Sequence, residues 1–167
     1  MINAKDTFYL MLRDRLAALN PTRTMGLRGI IRPGILVEEN ELATDAIVPD
    51  IFRLHWTTLS MGVLGPLPLA TMTCEIRYAT TGTASNGGMD RGRLLTVMDS
   101  ELTAALQIVP HQIQKRNYAA SSVGVAPVAM LTNVFWSDAS FSETVATAER
   151  LERTATVEVF CYQEPGE

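Results

Sequence analysis

The sequence has few of the residues from which metal and redox sites are built. It contains two cysteines, Cys74 and Cys161, and two histidines, His55 and His111, among 167 residues. No Cys-x-x-Cys pair occurs, and the histidines lie too far apart for a helical zinc pair. We therefore predict no metal and no cofactor. We interpret both cysteines as buried free thiols, because each lies in a strand-like segment on a face shared with apolar neighbours. A disulfide would form only if the two strands placed their Cα atoms within about 7 Å.

Long apolar runs and clustered positive charge are also missing. No apolar run approaches the roughly 18 to 20 residues that span a bilayer. Charged residues interrupt the first twenty positions, which argues against a secretory signal there. The formal net charge is −4, and the basic residues are scattered, whereas proteins that read nucleic acids usually carry a clustered basic surface. We expect no membrane partner and no specific recognition of DNA.

Sequence motifs of catalysis are absent. The chain has no Gly-x-Ser-x-Gly, no P-loop ending and no dinucleotide-binding glycine pattern. Glycines in the loop 82–92 precede a predicted helix and could bind an anion with Arg91 and Arg93, but a flexible loop leading into a capped helix explains them better. Asp99 and Glu101 lie two residues apart on that helix, so they point in different directions. We predict that the chain is not an enzyme.

The apolar residues, 47% of the chain against 19% charged, predict one globular domain over residues 1–167. Two amphipathic helices are predicted, at residues 4–19 and 91–109, with Asp90 as the N-cap of the second. Their expected buried stripes are Phe8, Leu12, Leu16 and Leu19 in the first helix, and Leu95, Met98, Leu102, Ala105 or Leu106, and Val109 in the second.

Five segments are predicted to be strands: 29–39, with a break at Pro33-Gly34, and then 51–58, 69–80, 131–136 and 154–163. The clearest is 69–80, where an apolar row alternates with a polar one. The apolar row is Ala70, Met72, Cys74, Ile76 and Tyr78, and the polar row is Thr71, Thr73, Glu75 and Arg77.

The order of elements predicts an α+β fold. We expect a two-layer structure, in which a mainly antiparallel sheet carries both helices on one face. Residues 61–68 are expected to connect two strands, and segments near 81–90 and 111–130 to be flexible or to dock onto another subunit. Residues 143–151 fit either one or two helical turns or an extended loop.

In layout the chain resembles the tail terminator (tail-completion) proteins of long-tailed bacteriophages. The resemblance is carried by the leading helix, the strand LATMTCEIRYATTGT, the glycine loop and the helix RGRLLTVMDSELTAALQIVP, followed by LTNVFWSD and LERTATVEVFCYQE. It covers residues 3–164. It implies a structural virion protein of the phage neck, located in the tail and made in the host cytoplasm.

The resemblance also implies partners. Such proteins form a homo-oligomeric ring, usually of six subunits, which ends polymerisation of the tail tube. One face of the ring would contact the tail tube protein and the other the head–tail connector protein, while DNA passes through the lumen without specific recognition. No catalytic residue is implied.

Several surface residues are candidates for the subunit interface, although each also fits an ordinary solvated surface. They are Thr71, Thr73, Glu75, Arg77, Gly87, Gly88, Arg91, Arg93 and Tyr118. Two alternatives remain open. The chain could be another head–tail connector or tube-like subunit, or it could be a small-ligand-binding α/β domain, which would need polar residues converging on a pocket.

Overall fold

A computed structural model describes residues 1–41, 48–119 and 125–167 of the chain. The described elements, in chain order, are α1 (Ile2–Leu19), β1 (Thr24–Leu27), β2 (Ile30–Pro33), β3 (Ile35–Val37), α2 (Glu38–Glu41), β4 (Phe52–Gly62), β5 (Leu69–Thr80), a 3₁₀ turn (Ala84–Asn86), α3 (Arg91–Leu106), β6 (Gln112–Asn117), β7 (Val128–Trp136), β8 (Ser140–Phe141), β9 (Val145–Ala146) and β10 (Leu151–Tyr162). The mixed α and β content confirms the predicted class at that level.

The main sheet is built on the pair formed by β5 and β10. These strands run antiparallel and pair along their full length, from Leu69 opposite Tyr162 to Thr80 opposite Leu151. The strand order is β3-β4-β5-β10-β7-β6. The short β8 and β9 also pair with β10, so that β7, β8 and β9 follow one another along a single edge of it.

The sheet is mixed and curled, whereas the prediction was a two-layer arrangement with a mainly antiparallel sheet. The strand β3 runs parallel to β4, with Ile35 opposite Phe52, whereas the other pairs in this sheet are antiparallel. The register of β4 shifts between Trp56 and Thr58, and that of β6 shifts near Lys115. Such bulges bend a strand and increase its twist, and neither is visible in the hydrophobic pattern.

A single apolar core lies between the sheet and the long helices α1 and α3, which also contact each other. The predicted apolar row of β5 is fully buried in it. Phe8 of α1 lies at the centre of an aromatic group, because its ring meets those of Trp56 and Trp136 edge-on, each at a centroid distance of 6.0 Å. Cys74 and Cys161 are buried and free, as predicted.

The predicted strand 29–39 is divided between two sheets. β2 pairs with β1 in a separate two-stranded sheet, whereas β3 joins the main sheet. The division falls at Gly34, whose amide donates to the carbonyl of Arg23 at 2.8 Å. A Cβ at Gly34 would lie 3.0 to 3.2 Å from atoms of Arg23 and Ile51. A side chain here would therefore crowd the point where the chain passes from one sheet to the other.

The second long helix is shorter than predicted. It ends at Leu106, and Val109, expected in its buried stripe, is 81% exposed. The indole of Trp136 donates to the carbonyl of Leu106 at 2.9 Å. This bond satisfies one of the carbonyls that a helix leaves unpaired at its last turn.

Each of three segments outside the predicted helices and strands contains strand residues. Residues 143–151 form no helix and contain β9, which fits the extended alternative. The segment 111–130 contains β6 and the start of β7, and the part of the predicted docking segment at 120–124 lies outside the described residues. β4 continues to Gly62, so the expected connection at 61–68 is partly strand.

Truncating the central aromatic ring should destabilise the fold strongly. We expect Phe8→Ala to lower the free energy of unfolding by about 3 to 5 kcal/mol, because it leaves a cavity between two tryptophans. Urea unfolding followed by tryptophan fluorescence measures this. Val97→Ala on the exposed side of α3 is the control, with an expected change within about 0.5 kcal/mol. Equal effects of the two changes would contradict the described core.

Candidate functional surface

The predicted polar row of β5 lies on the face of the sheet opposite the core. Thr71, Thr73, Glu75 and Arg77 are all half-buried there. The hydroxyl of Thr73 donates to Glu158 of β10 at 2.8 Å, and Arg77 donates to Glu75 at 2.7 Å. The row is brought together as expected, but much of its hydrogen-bonding capacity is used within the chain.

A buried carboxylate in α2 joins this face to the segment after β3. The Glu38 side chain is 9% exposed and lies 3.1 Å from the guanidinium of Arg53 and 3.8 Å from that of Arg77. The Nδ1 atom of His55 is 3.4 Å away. The sequence analysis missed Glu38, because a four-residue helix has too few residues to show a periodic pattern.

Removing this carboxylate should be costly. We expect Glu38→Ala to lower the free energy of unfolding by about 3 to 5 kcal/mol, because it removes a buried carboxylate that lies 3.1 Å from the buried guanidinium of Arg53. Chemical denaturation of this variant and of Glu149→Ala, an exposed acidic control, measures the difference. A change no larger than that of the control would show that Glu38 is not needed to balance Arg53.

The carboxylates Asp99 and Glu101 do point in different directions, as predicted. Asp99 accepts a hydrogen bond from the hydroxyl of Tyr78 and forms an ion pair with Arg153. Glu101 instead forms an ion pair with Arg23 at 2.7 Å. Each carboxylate therefore joins α3 to a different part of the fold.

The glycine loop after β5 is folded by its own hydrogen bonds. The amide and hydroxyl of Thr83 donate to the carboxylate of Asp90 at 2.8 and 2.6 Å, and these bonds lower the pKa of Asp90. This carboxylate therefore makes no capping bond to α3, although Asp90 does occupy the N-cap position, as predicted. Gly82 and Gly88 have positive φ, and a Cβ at Gly82 would lie 2.6 Å from the Cα of Gly88.

The remaining interface candidates lie at separate places. Gly87, Gly88, Arg91 and Arg93 belong to the glycine loop and the start of α3, where Arg91 donates to the carbonyl of Thr81 at 3.0 Å. Tyr118 follows β6, which is the last strand of the sheet order and lies three strands away from β5. The candidates therefore form three groups, and whether any of them contacts another subunit stays a prediction.

The hairpin between β4 and β5 carries a feature that the sequence analysis missed. From Trp56 to Cys74 the chain has no charged residue. We call residues 57–69 the uncharged hairpin. It exposes four large apolar side chains: Leu59 is 50% exposed, Met61 42%, Val63 73% and Leu64 fully. The absence of charge over this length was the available signal.

One edge of this hairpin is open. β3 pairs with β4 only at Phe52 to Leu54, and no described strand pairs with the same edge of residues 57–62, which we call the open edge. Exposed edges are usually protected by charge, proline or a covering element. The open edge has none of these within it, so it can accept a further strand.

The edge at the other side of the sheet is protected. In β6 the amide of Arg116 donates to the hydroxyl of Thr7 in α1 at 3.0 Å. The neighbouring Lys115 is fully buried and donates to the carbonyl of Tyr162 at 2.7 Å. A charged, helix-covered strand thus lies at one side of the sheet, and the uncharged residues 57–62 of β4 lie uncovered by any described strand at the other.

The Lys115 ammonium also forms an ion pair with Glu167. Burial raises the pKa of Glu167, but hydrogen bonds from the Glu164 amide and from Lys115 outweigh it, and the pKa is lowered to about 2. The carboxylate is thus held in its charged form, which ties the residues after β10 to β6.

This pair predicts a pH-dependent stability. Because the pKa of Glu167 is lower in the folded than in the unfolded chain, its contribution is present above about pH 4.5 and is lost as the pH falls towards 2. We expect Glu167→Gln to destabilise the protein at pH 6 and much less at pH 3, as measured by urea unfolding at both values. A difference that does not shrink towards low pH would contradict the assignment.

An apolar groove of about 280 Å³ runs between α1 and β4, beside the open edge. Ile2, Trp56 and Leu59 line it, and the ammonium of Lys5 lies 5.1 Å from the centroid of the Trp56 ring. Burial raises the pKa of Asp6, which lies at the same groove. Through Leu59 the groove and the open edge share one apolar surface.

Within the described ranges no group of three metal-ligating side chains comes together. None of the described helices is long and apolar enough to cross a bilayer. No protein-family model matches the chain, and a search of curated proteins found none with significant similarity.

Proposed function

We propose that the chain is a structural subunit of the phage neck, which forms a ring that terminates the tail tube and joins it to the head connector. The observation that carries the assembly is the open edge of β4 together with the uncharged hairpin. The resemblance of the chain's layout to tail terminators supports a place for this assembly in the phage neck.

The physical argument starts from the cost of an exposed edge. Unpaired amides and carbonyls along residues 57–62 gain hydrogen bonds when a strand adds to them. Fully burying an apolar side chain contributes about 1.5 to 3 kcal/mol, and Leu59, Met61, Val63 and Leu64 offer part of that each. An edge that meets a different surface on the next copy makes a head-to-tail contact, which closes into a ring when the rotation allows.

The polar row of β5 has a lesser part in this proposal. Glu75 and Thr73 already bond to Arg77 and Glu158 within the chain, so contacts through the row would add orientation rather than most of the binding energy. We also propose the finer fold description, in which α1 and α3 form a helical layer over the curled sheet.

A second function is favoured by one observation, the apolar groove beside α1. Its volume approaches that of a small-ligand site, and a ligand-binding domain would use it without assembling. A connector or tube-like subunit would share the open edge, and only its behaviour towards the tube would differ.

Assembly is tested by the native mass of the purified chain, from light scattering coupled to size exclusion. We expect a mass near six times that of the 18.3-kDa chain, or a concentration-dependent shift towards it. Leu59→Lys combined with Leu64→Lys should shift the protein to monomer, because two charges would be buried in the contact. Val145→Lys, at a site that is 57% exposed on β9, is the control and should leave the mass unchanged.

A strict monomer at all concentrations would contradict assembly and favour a ligand-binding function for the apolar groove.

Termination itself is tested by adding the wild-type protein to the tail tube protein while it polymerises. A terminator shortens the tubes in proportion to its concentration, as seen by electron microscopy. Tubes of unchanged length would favour the connector alternative.

A further inference from the structure

We infer that the open edge of β4 binds the β1–β2 hairpin of a neighbouring copy of the chain. This inference rests on the proposed ring and names the surface that each subunit donates to the next. It is argued from the β1–β2 hairpin, from its position in the chain and from the charges on the two surfaces.

The β1–β2 hairpin is incomplete as a sheet. Among the described strands, β1 and β2 pair only with each other. Arg28 and Gly29 at the turn have φ values of 50° and 81°, as a tight two-residue turn with two positive φ angles requires. Ile30 is 66% exposed and Ile31 78%. A two-stranded hairpin alone is marginally stable in water, so a third strand would stabilise it.

The hairpin is too short to cover the open edge of its own chain. Its base is fixed beside the start of β4, because the amide of Phe52 donates to the carbonyl of Gly34 at 2.9 Å. Leu59 lies seven residues further along β4, or about 23 Å at the rise of a strand. The turn at Gly29 lies five residues from Gly34, which allows a reach of about 17 Å. The hairpin of the same chain could therefore reach no further than the start of the open edge, and a hairpin that pairs along this edge past Leu59 must come from another copy.

The charges of the two surfaces are complementary. The segment from Thr24 to Pro33 contains Arg28 and Arg32 and no acidic residue. Beside the open edge, the carboxylate of Glu39 accepts a hydrogen bond from the amide of Trp56 at 2.8 Å and its side chain is 39% exposed. Asp6 lies at the adjoining groove, and Lys5 there is placed over the Trp56 ring.

Pairing of the open edge with the same edge of a second copy is the main competing arrangement. It would put Leu59 and Met61 of both copies together, but it would leave Ile30 and Ile31 in water. Donation of the β1–β2 hairpin covers both apolar surfaces in one contact. It is also head-to-tail, as a ring requires, because each copy donates at one end of β4 and accepts at the other.

Disulfide trapping between two variants, each with one added cysteine, tests the inference. Ile31→Cys places a thiol on the hairpin, and Ser60→Cys places one on the open edge. The native Cys74 and Cys161 are buried and should not react. After mild oxidation with copper phenanthroline, we expect a crosslinked dimer only when the two variants are mixed. The double variant should give a ladder on a non-reducing gel, up to the size of the ring.

Matched controls and a second measurement make the outcome decisive. Val145→Cys mixed with Ile31→Cys should not crosslink. Ile30→Lys combined with Ile31→Lys should shift the native mass from oligomer to monomer. A crosslink in Ser60→Cys alone, or an oligomer that persists in this lysine variant, would overturn the hairpin contact while leaving the ring proposal standing. A wild-type chain that is monomeric at every concentration would overturn both.

Discussion

The antiparallel pairing of β5 with β10 is the interaction on which the rest of the structure depends. It runs without a register shift over twelve residues of each strand, and it brings together segments that are about half the chain apart. One face of the pair is apolar and contacts α3, while α1 packs against α3, β6 and β7. The other carries the threonine and charged residues of the outer face. β4 extends the pair on one side, and β7, β8 and β9 extend it on the other.

One edge of the sheet is covered and the other is partly unpaired, and the proposed function follows from that difference. β6 is closed by Thr7 of α1 and anchored by the buried Lys115. β4 is covered by β3 for only three residues and then continues as an uncharged strand with apolar side chains at its end. A chain that acts alone gains nothing from such an edge, whereas a subunit that adds to its neighbour uses it directly.

The parts of the fold that the sequence predicts are those with a strong local period. β5 was predicted residue for residue, because apolar and polar side chains alternate without a break from Ala70 to Tyr78. The buried stripe of α3 was predicted from Leu95 to Leu106 for the same reason. The end of that helix was not predicted, since the hydrogen bond that Trp136 donates to the last helical carbonyl, that of Leu106, joins residues 30 positions apart.

Features set by distant partners were missed. β8 and β9 have two residues each and exist through their pairing with β10, so no local pattern marks them. The parallel β3 was joined to β2 in the prediction, because only the crossing at Gly34 separates them. The candidate surface was missed for another reason. Catalytic and metal sites are marked by reactive side chains, whereas the open edge is marked by the absence of charge between Trp56 and Cys74.

The central claim is that residues 57–62 of β4 form their missing hydrogen bonds with another copy of the chain. Hydrogen–deuterium exchange of the amides in this segment that do not bond to β5 tests it most directly, at protein concentrations above and below the point of assembly. The account predicts exchange that is fast in dilute protein and slowed strongly in concentrated protein, with the amides of β5 and β10 protected in both. Equally fast exchange at residues 57–62 under both conditions would contradict it.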